Sequence, residues 1–117
     1  MNISTRKAED VTLVDISGQI ILGPETGQLR STVHDLVSRG DKKIILNLAE
    51  VSYIDSSGLG ELIASYTTVR NQGGQLKLLN LNKKVKDLLL ITKLYTIFDV
   101  KEDEYLAVKS FDWFFAK

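Results

Sequence analysis

The amino-acid sequence predicts an α/β fold built on a sheet whose later strands run parallel to one another. Short segments rich in β-branched or continuous apolar residues alternate along the chain with longer segments whose apolar residues recur at helical spacing. Glycine residues mark most boundaries between these segments. Strands that alternate with helices are joined by right-handed crossovers, which place successive strands parallel in one sheet.

The chain begins with strand segments. Residues 11–16 combine β-branched side chains with an alternating pattern, which predicts a strand that is interrupted at Gly18. Residues 19–22 continue this strand or form a second one, and the segment closes before Pro24 because proline lacks a backbone N–H and fixes φ. Residues 3–7 could pair alongside as an edge strand.

Two helices follow, one on each side of a central strand. Leucine and valine residues at helical spacing predict a first helix over residues 25–39, which ends at Gly40. Residues 42–48 form a nearly continuous apolar run, which is typical of a central strand covered on both faces. The second helix ends at residues 73–74, and its apolar stripe consists of Leu59, Leu62, Ile63, Tyr66 and Val69.

The last third of the chain repeats the alternation. Residues 75–81 predict a strand, Asn82 can cap a third helix, and residues 96–100 predict a short final strand. Residues 104–115 predict a C-terminal helix. Its aromatic residues, within 111–115, are expected to pack on the sheet because aromatic side chains dominate core burial. An exposed patch for a partner is the alternative.

The composition is typical of one compact domain spanning residues 1–117, long enough to bury a core without disulfides or metal. Fifteen basic and fifteen acidic residues give a formal net charge of zero, so no global field attracts nucleic acid or an anionic membrane. No apolar run approaches the roughly 20 residues of a membrane-spanning helix, and residues 1–10 do not resemble a secretory signal. We therefore expect a cytoplasmic protein that neither binds nucleic acid directly nor inserts into a membrane.

Residues that commonly carry catalysis or metal binding are scarce. The chain has no cysteine and one histidine, His34, which argues against a zinc site and favours a surface role for that histidine. The nucleophile-elbow pattern Gly-x-Ser-x-Gly is absent around Ser56. We therefore expect no enzyme activity, no cofactor and no bound metal.

The most informative segment is residues 53–60, Tyr-Ile-Asp-Ser-Ser-Gly-Leu-Gly, between the central strand and the second helix. In open α/β sheets, binding sites collect beyond the carboxyl ends of the strands, where a helix N-terminus presents free amides. Asp55 or Ser56 is expected to cap the helix. Gly58 and Gly60 each cost about 1 kcal/mol relative to alanine in a helix, so we interpret them as a sign that something needs close access to the backbone.

Residues 54–60, preceded by the apolar strand at 44–48 and followed by a helix, resemble the signature of the STAS domain, and especially of bacterial anti-sigma factor antagonists (anti-anti-sigma factors). The resemblance covers nearly the whole chain, including Gly18, the glycine pair at 73–74 and residues 93–98. It implies the STAS fold, with about five strands in a mixed, mostly parallel sheet and about four helices packed mainly on one face.

The resemblance also implies a function. An unphosphorylated anti-sigma factor antagonist binds an anti-sigma factor that is often also a serine kinase, and it thereby regulates transcription by freeing a sigma factor. Kinase action on the serine after the motif aspartate ends this binding, and a phosphatase restores it. By position the acceptor would be Ser56, with Ser57 as the alternative, and homodimer formation is left open. The implied partner surface consists of Asp55, Ser56, Ser57, Gly58, Leu59 and Gly60.

One position departs from the family pattern. Many phosphorylatable members carry Gly-Glu-Leu-Asp after the first long strand, whereas this chain has Gly-Gln-Ile-Ile at residues 18–21. Ile21 therefore replaces the acidic residue that lies near the switch serine in the family. An alternative stays open, in which the chain is a STAS subunit of a larger assembly, such as a lipid-transport complex or a signalling scaffold, and is not phosphorylated.

Overall fold

The computed structural model of the chain describes the backbone of residues 1–115 and the side chains of residues 1–111. The strands in this part of the chain are β1 (Asn2–Ala8), β2 (Val11–Ile20), β3 (Lys43–Ile54), β4 (Gln75–Leu79) and β5 (Asp99–Lys101). The α-helices are α1 (Gln28–Ser38), α2 (Ser56–Asn71), α3 (Lys83–Ile91) and α4 (Glu104–Phe115). A short 3-10 helix spans Leu94–Thr96.

The strands form one sheet in which neighbours in sequence are also neighbours in space. The order is β1-β2-β3-β4-β5, with β1 antiparallel to β2 and each later pair parallel. This confirms the predicted mixed, mostly parallel sheet and its edge strand. Because each right-handed crossover advances one strand in the same direction, α1, α2 and α3 all lie on one face. The helix after the last strand, α4, covers the opposite face.

The alternation of side chains along the strands divides the buried residues between two cores. The larger core lies under α1, α2 and α3 and includes Ile44, Leu46 and Leu48 of β3. β3 is therefore buried on both faces, as its continuous apolar run predicts. The smaller core lies under α4 and consists of Val11, Leu13, Ile45, Leu79, Ala107, Val108 and Phe111.

The length of β3 differs from the sequence prediction, which ends this strand at residue 48. β3 continues to Ile54 because it pairs with the second half of β2, where Gly18 lies opposite Val51 and Ile20 lies opposite Ile54. Register irregularities accompany this pairing, and Gly18 adopts a positive φ of 98° that glycine tolerates. Gly18 therefore lies within a continuous strand and does not interrupt it.

Two further boundaries differ by a few residues. α1 begins at Gln28 rather than at residue 25, because Gly27 has a left-handed φ of 92° and the residues before it form hydrogen-bonded turns. The final strand was predicted over residues 96–100, but pairing with β4 begins only at Asp99. Local apolar character predicts a strand correctly, whereas its ends depend on where a neighbouring strand is available.

The strand predicted over residues 75–81 ends at Leu79, because Asn80 adopts a positive φ of 60°. Two other predictions for the second half of the chain are confirmed. Asn82 caps α3 by accepting a hydrogen bond from the Val85 N–H at 2.9 Å. The C-terminal helix forms as α4, and Phe111 is fully buried against the sheet. The side chains of residues 112–115, on which the rest of the aromatic prediction falls, lie outside the described residues.

Phe111→Ala tests the packing of α4. The substitution should lower the free energy of unfolding by about 3–5 kcal/mol, because it removes a fully buried aromatic side chain from the smaller core. Leu106→Ala on the same helix is the matched control, since Leu106 is 61% exposed; it should change stability by less than about 0.5 kcal/mol. Urea unfolding followed by circular dichroism measures both variants. Equal losses would contradict the packing of α4 on this face.

Candidate functional site

The segment of residues 53–60 lies at the carboxyl edge of the sheet. β2 and β3 end side by side, with Ile20 opposite Ile54, and α2 starts at Ser56, immediately beyond Asp55. Open α/β sheets present their binding sites at this edge, because strand ends, loops and helix N-termini meet there. The structure thus places the segment where the sequence predicts it.

Asp55 connects the start of α2 to the loop after β2. Its Oδ1 accepts a hydrogen bond from the Gly58 N–H at 2.8 Å, which is the N-cap interaction predicted for this residue or its neighbour. Its Oδ2 accepts a second hydrogen bond from the Leu22 N–H at 3.1 Å. Its own N–H donates to the Ile20 carbonyl oxygen at 3.3 Å. One residue therefore holds the helix N-terminus against the end of β2.

The same hydrogen bonds stabilise the charged form of Asp55. The Gly58 N–H makes the larger contribution and the Leu22 N–H the next, and together they hold the pKa of Asp55 below its ordinary value of 3.8. The carboxylate is therefore ionised at neutral pH, next to the positive end of the α2 dipole. Sequence reasoning misses the contact with Leu22, because only the parallel pairing of β2 with β3 brings the two residues together.

Ser56 and Ser57 differ in exposure although they are adjacent. Ser56 is exposed at the first position of α2, whereas Ser57 is half-buried. Helical spacing places Ser57 on the side of Glu61, a buried residue whose carboxylate lies 3.4 Å from the Arg30 guanidinium. Ser56 shares its side with Gly60, which is also exposed. Of the two serines, Ser56 is therefore the more open to a partner.

The two glycines of the segment have different structural roles. A Cβ on Gly58 would overlap the Ile20 carbonyl oxygen and the Ile54 side chain, so this glycine permits close packing of α2 on β2. A Cβ on Gly60 would meet nothing within 4 Å. The interpretation that something needs close access to the backbone is therefore confirmed for Gly58, where the Ile20 carbonyl of the chain itself makes the approach, and it stays a prediction for Gly60.

The implied partner residues divide into buried and accessible groups. Gly58 and Leu59 are buried, and Leu59 belongs to the larger core. They are buried because the first turn of α2 directs this side of the helix toward the end of β2. Their expected contact with a partner stays a prediction. The accessible members are Asp55, Ser56, Ser57 and Gly60.

Exposed apolar side chains lie at the start of the segment and in the loop after β2. Leu22 is 68% exposed, and Ile21 and Tyr53 are exposed as well. An exposed apolar surface of this kind is typical of a protein-binding site. Sequence reasoning misses it, because the apolar pattern does not reveal which side of the fold each side chain faces. A groove of about 340 Å³ continues from Tyr53 toward α3, where its lining includes Lys84, Val85, Asp87, Leu88 and Ile91.

The described residues contain no group of three or more His, Cys, Asp or Glu side chains that could hold a metal ion. His34 is exposed on α1, in agreement with a surface role. No helix in the described part of the chain combines the length and apolar character needed to cross a membrane.

Comparison with known proteins matches the sequence and fold of this chain to one family. The family model of the STAS domain matches residues 2–107. The anti-sigma-B factor antagonist of Bacillus subtilis (strain 168) is 36% identical over 101 residues, which cover 86% of this chain and 90% of that protein. The anti-sigma F factor antagonist of Paenibacillus polymyxa is 26% identical over 110 residues, which cover 92% of each chain.

Solved structures share the fold over nearly the whole chain. The anti-sigma factor antagonist SpoIIAA in its unphosphorylated form has a TM-score of 0.70 at 18% identity, with 95% of this chain and 98% of that chain covered. The phosphorylated form of SpoIIAA, a Bacillus cell fate determinant, has a TM-score of 0.72 at 18% identity, with 93% and 98% covered. These similarities show the fold.

Gly58→Ala and Gly60→Ala form a matched pair in one helical turn. Gly58→Ala should lower the free energy of unfolding by about 1–3 kcal/mol or more, because the added Cβ forces α2 away from Ile20. Gly60→Ala should raise it by up to about 1 kcal/mol, because alanine favours the helix and the site is open. Urea unfolding measures both. A Gly58→Ala variant as stable as the wild type would contradict the close packing of α2 on β2.

Asp55→Asn should reduce stability most at neutral pH. The pKa of Asp55 is lower in the folded state than its ordinary value of 3.8, which applies to the unfolded chain. The stabilisation that the ionised carboxylate gives to the fold is therefore fully present well above pH 3.8. It is lost as the pH falls below 3.8 and through the lower folded-state pKa. Asparagine retains an acceptor for the Gly58 N–H, but its amide nitrogen cannot accept from Leu22. Urea unfolding at pH 7 and at pH 3 should show a stability difference from wild type that narrows in acid. A difference of constant size would contradict the assigned role of the carboxylate.

Proposed function

The chain belongs to the STAS domain family, and on this premise we propose that it is an anti-sigma factor antagonist. In the unphosphorylated state it binds an anti-sigma factor of the serine-kinase type and thereby regulates transcription. Phosphorylation of Ser56 ends the binding. The observation that carries this proposal is the 36% identity, over 86% of the chain, to the anti-sigma-B factor antagonist of Bacillus subtilis.

The proposed binding surface combines the accessible residues of the 53–60 segment with the apolar side chains around them. The hydrogen bonds of Asp55 to Leu22 and Gly58 hold the loop after β2 against the first turn of α2. A surface that is already ordered loses less conformational entropy on binding than a flexible loop does. The exposed side chains of Leu22 and Tyr53 supply apolar area that binding removes from water.

Phosphorylation changes this surface without unfolding α2. The partner kinase transfers the terminal phosphoryl group of ATP to the Ser56 hydroxyl oxygen, which loses its proton as ADP leaves, and a phosphatase later hydrolyses the ester with water. The phosphate carries about −1.5 to −2 charge at pH 7, which the positive N-terminus of a helix tolerates. It lies next to the ionised Asp55, so repulsion and bulk together exclude a close-fitting or acidic partner.

Exposure favours Ser56 over Ser57 as the phosphate acceptor. A kinase must enclose the hydroxyl in its own active site, and Ser56 is the exposed residue of the pair. Ser57 lies on the side of α2 that carries the buried Glu61, one turn away. A phosphate on Ser57 would therefore approach a second negative charge.

The protein acts in this proposal by binding alone. The kinase and the phosphatase are separate proteins, and no cofactor takes part. Residues 1–117 function as one domain in the cytoplasm, where transcription takes place.

Ile21 favours a second candidate function. Its side chain is 38% exposed beside Leu22, the residue whose N–H donates to Asp55. An apolar group therefore stands where the family pattern has an acid. The chain would then be a permanently unphosphorylated STAS subunit of a larger assembly. Intact-mass spectrometry of protein purified from its own host separates the two functions, because a phosphate on Ser56 or Ser57 excludes the second one.

Variants of Ser56 test the switch in a pull-down with the anti-sigma factors encoded in the same genome. Ser56→Ala should bind and should not be released when ATP is added, because it cannot be phosphorylated. Ser56→Asp should bind about tenfold more weakly or worse, because it adds a charge beside Asp55. Ser57→Ala is the matched control and should still be released by ATP. Equal binding by wild type, Ser56→Ala and Ser56→Asp would overturn the proposal.

A further inference from the structure

A pocket near the C-terminal end of α2 is separate from the proposed switch. It has a volume of about 330 Å³, and its lining includes Tyr66, Arg70, Leu76, Lys77, Ile97 and Asp99. At a helical rise of 1.5 Å per residue, Arg70 lies about 21 Å along α2 from Ser56. A second pocket of about 360 Å³ shares Arg70 and continues past Gly73 and Gly74. Volumes of roughly 300–1,000 Å³ are typical of sites for small molecules.

The pocket arises because β5 is shorter than β4. In the described part of the chain, β5 pairs with β4 only from Lys77 onward, which leaves the start of β4 without a strand on that side. The Asn80 N–H points to the β5 side, where it donates to the Lys101 carbonyl oxygen at 3.0 Å. Backbone donors alternate along a strand, so the Leu76 N–H points to the same side. The Leu76 N–H therefore faces the open edge of β4 that lies before the start of β5.

Lys77 places a buried positive charge beside this open edge of β4. The residue is 7% exposed, and its ammonium lies 4.5 Å from the centroid of the Phe111 ring. Its Nζ donates to the Ser110 Oγ at 2.7 Å and lies 3.2 Å from the Asp99 carboxylate. That carboxylate also lies 3.4 Å from the Lys101 ammonium. Two lysines thus share one carboxylate, and positive charge is in excess among the described side chains.

Arg70 supplies a further cation, and the described side chains of residues 1–111 leave most of its N–H donors unused. Its guanidinium donates to the Tyr66 hydroxyl at 2.8 Å and lies over the same ring, 5.6 Å from the centroid. Among the side chains of residues 1–111, no carboxylate forms an ion pair with it. The contact with Tyr66 restrains the guanidinium and leaves further N–H donors available. Such donors bind carboxylate and phosphate groups.

We propose that this pocket binds a small molecule with a phosphate or carboxylate group on an apolar body. Arg70 and the Leu76 N–H hold the anionic group, and Lys77 strengthens the attraction through its charge. The apolar body lies against Tyr66 and the exposed side chain of Ile97, and it extends toward the neighbouring pocket. The inference goes beyond the proposed switch, because it concerns the other end of α2.

Two-dimensional ¹H–¹⁵N NMR titrations of the full chain test this site, with inorganic phosphate and phenyl phosphate as the added ligands. Both should shift the amide resonances of Gln75 and Leu76 to saturation. Phenyl phosphate should bind about tenfold more tightly or better, because its ring removes apolar surface from water. Shifts confined to residues 56–58, where the N-terminus of α2 attracts any anion, would overturn the proposal. Shifts at Gln75 and Leu76 that never saturate would overturn it equally.

Substitution of Arg70 tests whether the anionic group binds beside this residue. Arg70→Gln should weaken phenyl phosphate binding about tenfold or more, because charge-assisted hydrogen bonds are lost. Arg39→Gln is the matched control, since Arg39 is an exposed arginine at the end of α1. This variant should bind phenyl phosphate with the same affinity as the wild type. The dispersion of the same spectra shows that each variant is folded. Unchanged affinity in Arg70→Gln would overturn the proposal.

Discussion

The pairing of β2 with β3 as far as Ile20 and Ile54 is the interaction on which the segment of residues 53–60 depends. Because the two strands are parallel, their ends lie side by side, and the loop after one strand meets the helix after the other. Asp55 joins them through its two carboxylate hydrogen bonds, and Gly58 lets α2 approach the Ile20 carbonyl. Ser56 therefore lies at the surface in a helical turn whose position is fixed by these contacts, and this turn is the site of the proposed phosphorylation.

The order of the strands determines what lies around this segment. Successive right-handed crossovers in one direction carry α1, α2 and α3 to one face of the sheet, so α4 is left to cover the other. The same order ends with β5, which spans only Asp99–Lys101. Because this last strand is short, the start of β4 is left open beside Arg70. The topology thus creates both the carboxyl-edge surface and the pocket at the other end of α2.

The proposed switch depends on surface charge and not on refolding. A helix N-terminus accommodates added negative charge, so a phosphate on Ser56 alters the neighbourhood of Asp55 while α2 stays in place. At the opposite end of α2, Arg70 provides the positive charge of the proposed anion pocket. One helix therefore carries both proposed sites, one near each end.

The sequence by itself determined the types and order of the helices and strands, the burial of β3 on both faces, and the cap at Asn82, and it limited the cap of α2 to Asp55 or Ser56. These features follow from periodicity and from residues within one turn of each other. Only the tertiary structure decided that β3 extends to Ile54, that Gly58 packs against β2, and that Leu22 lies beside the segment. Each of these depends on a strand or loop far away in the chain, and no local pattern records which distant residues will become neighbours.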